Sequence, residues 1–260
     1  MAERMGESSE KALSNVDRWT YGHQSTQAGR DIEAIEQMFK KYEVFYRGLL
    51  PGKLPSDREG LILDLPCGEG MMVYSLLRMG YKNVVGYDLD QGRLATGQKL
   101  GLPLKYGDIF ELLAKQASDS VECVLAMDFL EHLEKPQVVD FLRQVHRVLK
   151  PGGRLLARTP CADSPQGNAH IHNDFTHKWA ATSGVLCQLF AASGFVNATA
   201  FGEHPTWNMS KGYARVPLFK AFTSSVNLAL RAAGLMPYQI WSASMWAVGI
   251  KGASAGSSGQ

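Results

Sequence analysis

Strand-like and helix-like segments alternate along most of this chain, which predicts an α/β fold. The expected form is a doubly wound, mostly parallel sheet of seven strands, with an N-terminal helix and a helical insert before the last strand. Three features point to it. The run LILDLPCGEG (Leu61 to Gly70) is apolar, breaks at an acid and passes through a Pro/Gly turn into a helix-like segment. A second apolar run, VVGYDLD (Val84 to Asp90), again ends in acids. The 260 residues are 45% apolar, enough to bury one α/β core with an extension.

The elements follow in order. In Asp31 to Leu50, residues Ile32, Ile35, Met38, Phe39, Tyr42, Phe45 and Tyr46 share one broad helical face, and Pro51 ends the helix. Strands are expected at Leu61–Leu65, Asn83–Tyr87, Leu104–Tyr106, Val121–Met127, Arg154–Thr159, Phe195–Phe201 and Ile240–Ile250. Helices are expected at Met71–Met79, Gln91–Leu100, Pro136–Leu149 and Ala180–Ser193, with Pro151 to Gly153 as a turn. Gly202 to Gln239 is too long for a simple connection and reads as a helical insert. The expected division is a tail and helical cap over 1–60, a catalytic domain over 61–251 with an insert at about 203–239, and a disordered tail over 252–260.

Composition narrows the class. The net charge of +2 gives no electrostatic case for nucleic acid. Cys67, Cys123, Cys161 and Cys187 form no C-x-x-C pair, so disulfides are not expected and a reducing cytoplasm fits. The polar start has no signal-peptide core, and no apolar run reaches the ~20 residues that span a bilayer.

Ligands of open α/β sheets bind at the carboxyl ends of strands, where glycines let the backbone come close and an acid meets a ribose diol. Asp64, Pro66, Gly68 and Gly70 form the first such loop; Asp88 and Leu89 end the second strand. In YGDI, Asp108 is placed to accept from an adenine amine, with Ile109 against the ring. Each acid could instead cap a helix, but three at successive strand ends favour a nucleotide-like ligand. The glycines do not fit G-x-G-x-x-G, and Asp64 precedes the turn, which favours a methyl donor over a dinucleotide.

MDFLEHL (Met127 to Leu133) places Asp128, Glu131 and His132 after the fourth strand. NAHIHNDFTHKW (Asn168 to Trp179) places His170, His172, Asp174 and His177 after the fifth, so four of the seven histidines face one crevice. A neutral imidazole can take a hydroxyl proton near neutral pH, so His177, His132, Asp174 and His172 are the candidate catalytic residues. Asp128 is also a candidate cofactor contact. Asp128, Glu131 and His132, with a distal histidine, form a candidate site for Mg²⁺, Mn²⁺ or Zn²⁺. The bland alternatives are a pocket-shaping role for Glu131 and His132 and a hydrogen-bonded lid for the histidine loop.

From Leu61 to about Phe201 the chain resembles the class I S-adenosylmethionine-dependent methyltransferases, whose first loop reads D-x-G-x-G-x-G. Here it reads D-L-P-C-G-E-G, so Pro66 removes one backbone donor. The resemblance implies a Rossmann-like methyltransferase fold, S-adenosyl-L-methionine as cofactor, and roles for Asp64 and Gly68 (methionine moiety and loop), Asp88 (ribose) and Asp108 (adenine). The E-H pair resembles the E-x-x-E-H of small-RNA 2′-O-methyltransferases and ubiquinone-biosynthesis O-methyltransferases, with Asp128 as a shorter first acid.

GYKNVVGYDLDQGRL, DFLEHLEKPQVVDFLRQVHRVLKPGGRLLARTP and NDFTHKW are similar to a bacterial subfamily found with genes for surface polysaccharide synthesis. Lys178 stands where that subfamily often has Glu. This resemblance implies methylation of a sugar hydroxyl, for which Trp179, Trp207, Asn208 and Tyr213 are candidate glycan contacts and Trp19, Tyr21 and His23 a candidate lid. The alternatives are a phenolic or quinone-like acceptor, RNA 2′-O-methylation, or a non-enzymatic cofactor-binding domain. For RNA, the basic stretches are Lys40, Lys41, Arg47, Lys53 and Arg58, and Lys211, Arg215, Lys220 and Arg231. The expected acceptor is therefore a small molecule or glycan, with no membrane span.

Overall fold

A computed structural model of the protein describes residues 32–205 and 209–253. Helix α1 (Ile32–Leu49) leads into strand β1 (Ile62–Asp64) and helix α2 (Met71–Arg78). β2 (Val84–Asp88), α3 (Gln91–Lys99), β3 (Leu104–Tyr106), α4 (Ile109–Lys115) and β4 (Val121–Met127) follow. A 3₁₀ turn (Leu130–His132) then precedes α5 (Lys135–Val148), β5 (Leu149–Pro160), α6 (Gly167–His172) and α7 (Ser183–Ala192). The described chain closes with β6 (Phe195–Gly202), α8 (Gly212–Ala232) and β7 (Ser244–Lys251).

The seven strands lie in the order β3-β2-β1-β4-β5-β7-β6, with β7 antiparallel to both neighbours and the other pairings parallel. Strand order reverses between β1 and β4, so their carboxyl ends diverge there into a crevice. One core layer joins α4, α5 and α7 to the sheet through Leu113, Phe141, Val145 and Phe190; the other joins α1, α2 and α3 through Phe39, Tyr46, Leu76 and Leu94. In α1, Ile35, Phe39, Tyr46 and Leu49 are the buried residues, and their helical spacing lays the helix on α2.

The sequence places most elements to within a few residues. It misses α4 and α6, each only one or two turns long. Its turn at Pro151 to Gly153 is instead a bulge within β5. Val121 pairs with Leu149 and Cys123 with Arg154, so the intervening residues loop out while pairing resumes beyond them. The last strand begins at Ser244 rather than Ile240, because Ile240 packs into the core ahead of the ladder. The expected insert contains the 21-residue α8. Both expected tails and the Trp19, Tyr21 and His23 lid lie outside the described residues, as do Trp207 and Asn208. No described helix is long and apolar enough to cross a membrane, and the four cysteines are free.

Candidate functional site

A cavity of about 560 Å³ opens at the crevice, a volume typical of small-ligand sites. Its floor is Asp64, Pro66, Cys67, Gly68 and Glu69 of the loop after β1, with Asp88 and Arg93 on one flank. Met38, Phe39 and Tyr42 of α1 form a second wall. Asp128, Glu131 and His132 face His170, Asp174 and His177 across the mouth.

The first loop is built for close approach. Gly68 has φ +54 and Gly70 φ +86, a region that L side chains avoid. The Gly68 N–H donates to Asp88 Oδ2 at 2.7 Å, and the Asp90 N–H donates to Oδ1 at 2.8 Å. Asp88 therefore holds the loop against β2 while each oxygen keeps acceptor capacity for a hydroxyl. Gly97 in α3 serves the same packing: a Cβ there would lie 2.2 Å from the Glu69 carbonyl oxygen.

Asp64 is buried, and its Oδ1 has no hydrogen-bond partner. Burial, reinforced by the nearby Asp88 charge, holds its pKa well above the usual carboxylate value. A buried acceptor without a donor, aimed at a ligand-sized cavity, fits the cationic amino group of a methionine moiety. Asp108 lies elsewhere. Its Oδ1 accepts from the Phe110 and Glu111 N–H groups at 2.8 and 3.0 Å, capping α4. Asp108, Ile109 and the exposed Leu89 do not line the cavity, and Gly70 sits behind it as the N-cap of α2. The cap occupies only Oδ1 of Asp108, so Oδ2 keeps its acceptor capacity.

Across the mouth, the histidine loop is pinned to the 3₁₀ turn. The Lys178 N–H donates to the Glu131 carbonyl at 2.8 Å, and Trp179 Nε1 donates to the Leu130 carbonyl at 2.8 Å. Thr176 Oγ1 sits 2.8 Å from His132 Nδ1 and 2.7 Å from Asp174 Oδ1. Ionised Asp174 can only accept, so the Thr176 hydroxyl donates to it and receives the His132 Nδ1–H. His177 Nδ1 lies 2.8 Å from the Ile171 carbonyl, which likewise only accepts. In their neutral forms both imidazoles therefore carry the proton on Nδ1 and a lone pair on Nε2.

The electrostatics agree. Burial, followed by the neighbouring His177, lowers the His132 pKa, which favours the neutral ring. Burial opposes ionisation of Asp174, but the two hydrogen bonds from Thr176 outweigh it and leave its pKa low. Glu131 is buried, its Oε2 accepts from Thr159 at 3.1 Å, and its Oε1 has no partner. Burial, with the Asp128 charge behind it, raises its pKa to about 8.

Glu131, His132 and His177 bring three ligand atoms within 4.8 Å of one another. Asp128, expected among the ligands, is not in this group. It has φ +49, and its Oδ1 accepts from Arg158 Nη1 at 2.6 Å. Arg158 is anchored in turn by Glu203 at 2.6 Å, and Glu203 Oε1 accepts from Trp246 Nε1 at 3.0 Å. The set closed by His177 offers one carboxylate and two imidazoles, a donor set suited to Zn²⁺ or Mn²⁺ more than to the oxygen-seeking Mg²⁺.

Other expected residues fall outside the cavity. His172 is exposed and not part of its lining. Trp179 packs against the core, and Tyr213 lies exposed on α8. In the first basic stretch, Lys40 pairs with Glu36, Arg47 with Glu43, and Arg58 stacks over Tyr81. Sequence reasoning missed Arg93, Tyr42, Thr176, Arg158 and Glu203. Of these, Thr176 alone carried a signal, sitting between the two named residues Asp174 and His177.

Residues 62–153 match the family model described as "Methyltransferase domain". A ubiquinone biosynthesis O-methyltransferase of Aeromonas salmonicida is 33% identical over 165 residues, covering 55% of this chain and 66% of that protein. The protein of the same name from Ruegeria pomeroyi is 31% identical over 102 residues, covering 38% of this chain and 40% of its own length. The chain thus spans between two fifths and two thirds of these relatives. A solved S-adenosylmethionine-dependent methyltransferase from Archaeoglobus fulgidus superposes with a TM-score of 0.60 at 16% identity, over 89% of this chain and 99% of that one, which shows the shared fold. Residues 62–153 are thus similar to a methyltransferase domain, and the chain shares the fold of that solved structure.

Proposed function

We propose that the protein transfers a methyl group from S-adenosylmethionine to a hydroxyl oxygen of a small-molecule acceptor, of phenolic or quinone-like type. The observation that carries this reading is the pairing of two faces in one cavity. A carboxylate-lined, glycine-floored pocket stands opposite two imidazoles whose Nε2 lone pairs are held free.

The bound cofactor supplies an already activated methyl on its sulfonium, so the protein has mainly to position and deprotonate. Asp64 accepts from the amino group, Asp88 from the ribose hydroxyls, and Gly68 lets the loop close on the ligand. His177 or His132 takes the acceptor proton at Nε2 as the oxygen attacks, and Thr176 and Asp174 hold the His132 ring in orientation. The acceptor class follows the named relatives, which are O-methyltransferases of ubiquinone biosynthesis. A sugar acceptor, expected from the sequence, gains nothing from the geometry, since Trp179 packs against the core and neither it nor Tyr213 lines the cavity.

A second reading adds a metal, favoured by the unpartnered Glu131 Oε1 beside the two imidazoles. A divalent cation held there would lower the pKa of the acceptor hydroxyl.

Calorimetric titration with S-adenosylhomocysteine, with and without EDTA, followed by acceptor trials with labelled donor, tests both readings. Asp88→Ala should abolish cofactor binding. Turnover on glycosyl acceptors but not on phenols would overturn the acceptor class, and EDTA-insensitive turnover would remove the metal.

A further inference from the structure

Outside the cavity, the insert helix α8 exposes several large apolar side chains. It is 21 residues long, yet only Gly212 and Val216 are buried in it. At 100° per residue, Val216, Phe219, Thr223, Val226, Asn227 and Leu230 face one side, and all are buried or half-buried. The opposite side carries a second, mainly apolar stripe about 120° wide, formed by Leu218, Ala221, Phe222, Leu228, Ala229 and Ala232 around Ser225. Leu218, Phe222 and Leu228 are 68%, 61% and 70% exposed, and Leu235 and Met236 just beyond the helix are 58% and 89% exposed. Apolar area gathered in this way on one face marks an interaction site.

The charges say what covers it. Arg215 borders the stripe on one side, and Lys220 and Arg231 lie on the other flank of the helix, beyond Pro217 and Ser224. None of the three forms an ion pair among the described residues. From His204 to the end the sequence has Lys211, Arg215, Lys220, Arg231 and Lys251 and no Asp or Glu. The other residues sum to −3, with 22 basic against 25 acidic, so the chain's entire positive excess lies in this segment. A two-fold contact between copies through this face would set cation against cation. An anionic bilayer surface instead supplies an apolar interior for the stripe and headgroup charge for the flanking cations.

We propose that α8 is an interfacial helix that docks the protein onto an anionic lipid surface, with Leu218, Phe222, Leu228 and Met236 entering the acyl boundary. β6 runs in the same direction as β4 and β5, so the insert leaves the fold at the sheet edge where the cavity opens. The docking holds whichever acceptor the enzyme uses.

Co-sedimentation of the full chain with phosphatidylcholine vesicles, with and without roughly 30 mol% phosphatidylglycerol, tests it. The expected result is at least about tenfold stronger partitioning into the anionic vesicles, weakening as salt rises. The double variant Leu218→Glu/Phe222→Glu should lose at least about tenfold in partitioning, and Lys220→Glu/Arg231→Glu should lose most of the anionic preference. Both should keep wild-type affinity for S-adenosylhomocysteine, since none of these residues lines the cavity. Absence of binding to either vesicle would overturn the proposal. So would binding that ignores both double variants, or a solution dimer that Leu218→Glu/Phe222→Glu dissociates without any vesicle binding.

Discussion

Asp64 combines a cost to the unliganded fold with a use in the liganded one. Its carboxyl is buried beside Asp88, with an oxygen that no donor satisfies. Because burial raises its folded-state pKa above the ordinary 3.8, the stability it contributes is present below that value and lost as pH rises through the folded pKa. Asp64→Asn cannot titrate. It should raise the melting temperature of the unliganded protein at neutral pH by ~2–4 °C, for about 1 kcal/mol of relieved burial, and flatten the fall in stability with rising pH. The same change should weaken S-adenosylhomocysteine binding at least tenfold in a calorimeter. A variant losing both stability and affinity would show that Asp64 is structural. At the other end of the cavity, His177→Ala should lower kcat about a hundredfold while leaving the cofactor Kd unchanged, as expected when a proton acceptor is lost and not a binding contact. Sequence alone singled out Asp64, Asp88, His132 and His177, since acids and imidazoles at strand ends are visible as letters. It could not show that Asp108 caps α4 through Oδ1, or that Asp128 pairs with Arg158 thirty residues away. Those outcomes depend on which partner reaches each oxygen in space.

At the scale of elements, α1 does more than close one face of the core. Phe39 is fully buried and tilts against Tyr74 of α2, while the same helical turn presents Met38, Phe39 and Tyr42 to the cavity. Its 3.6-residue spacing made the helix readable, but the spacing says nothing about which crevice the helix would roof. Phe39→Ala should cost about 3–5 kcal/mol in chemical denaturation, in line with other buried Phe truncations. It should also weaken cofactor binding, because the wall shifts with the core; undiminished affinity would make α1 a cover for the sheet alone. The 3₁₀ turn and the histidine loop show the same division. Each was recognisable by composition, yet their joining through Lys178 N–H, Trp179 Nε1 and Thr176 Oγ1 spans more than forty positions in sequence. The Pro151 to Gly153 segment was misread for a related reason. Its residues are those of a turn, but β4 pairs with β5 both before and after them and holds the chain in the sheet around a bulge.

For the whole molecule, the cavity ties together parts of the chain that are far apart in sequence. Its walls come from α1, the loop after β1, the end of β2, α3, the turn after β4 and the histidine loop. A ligand bound there would touch the core layer beneath α1 and α2 and the strand ends on both sides of the crevice, so it favours the folded state of the domain and not of one loop. At a ligand concentration one hundred times Kd, mass action adds about 2.7 kcal/mol to stability. For a domain of this size that corresponds to a rise in melting temperature of roughly 5–10 °C. S-Adenosylhomocysteine should therefore shift one cooperative transition upward by about this amount, growing with the logarithm of its concentration, as read by circular dichroism. Asp88→Ala should leave the unliganded transition single and abolish the shift. Two transitions, only one of them moving with ligand, would mean that α1 and the insert melt apart from the sheet; the cavity would then be shared by separate units, and the roof formed by Phe39 and Tyr42 would be a movable cover.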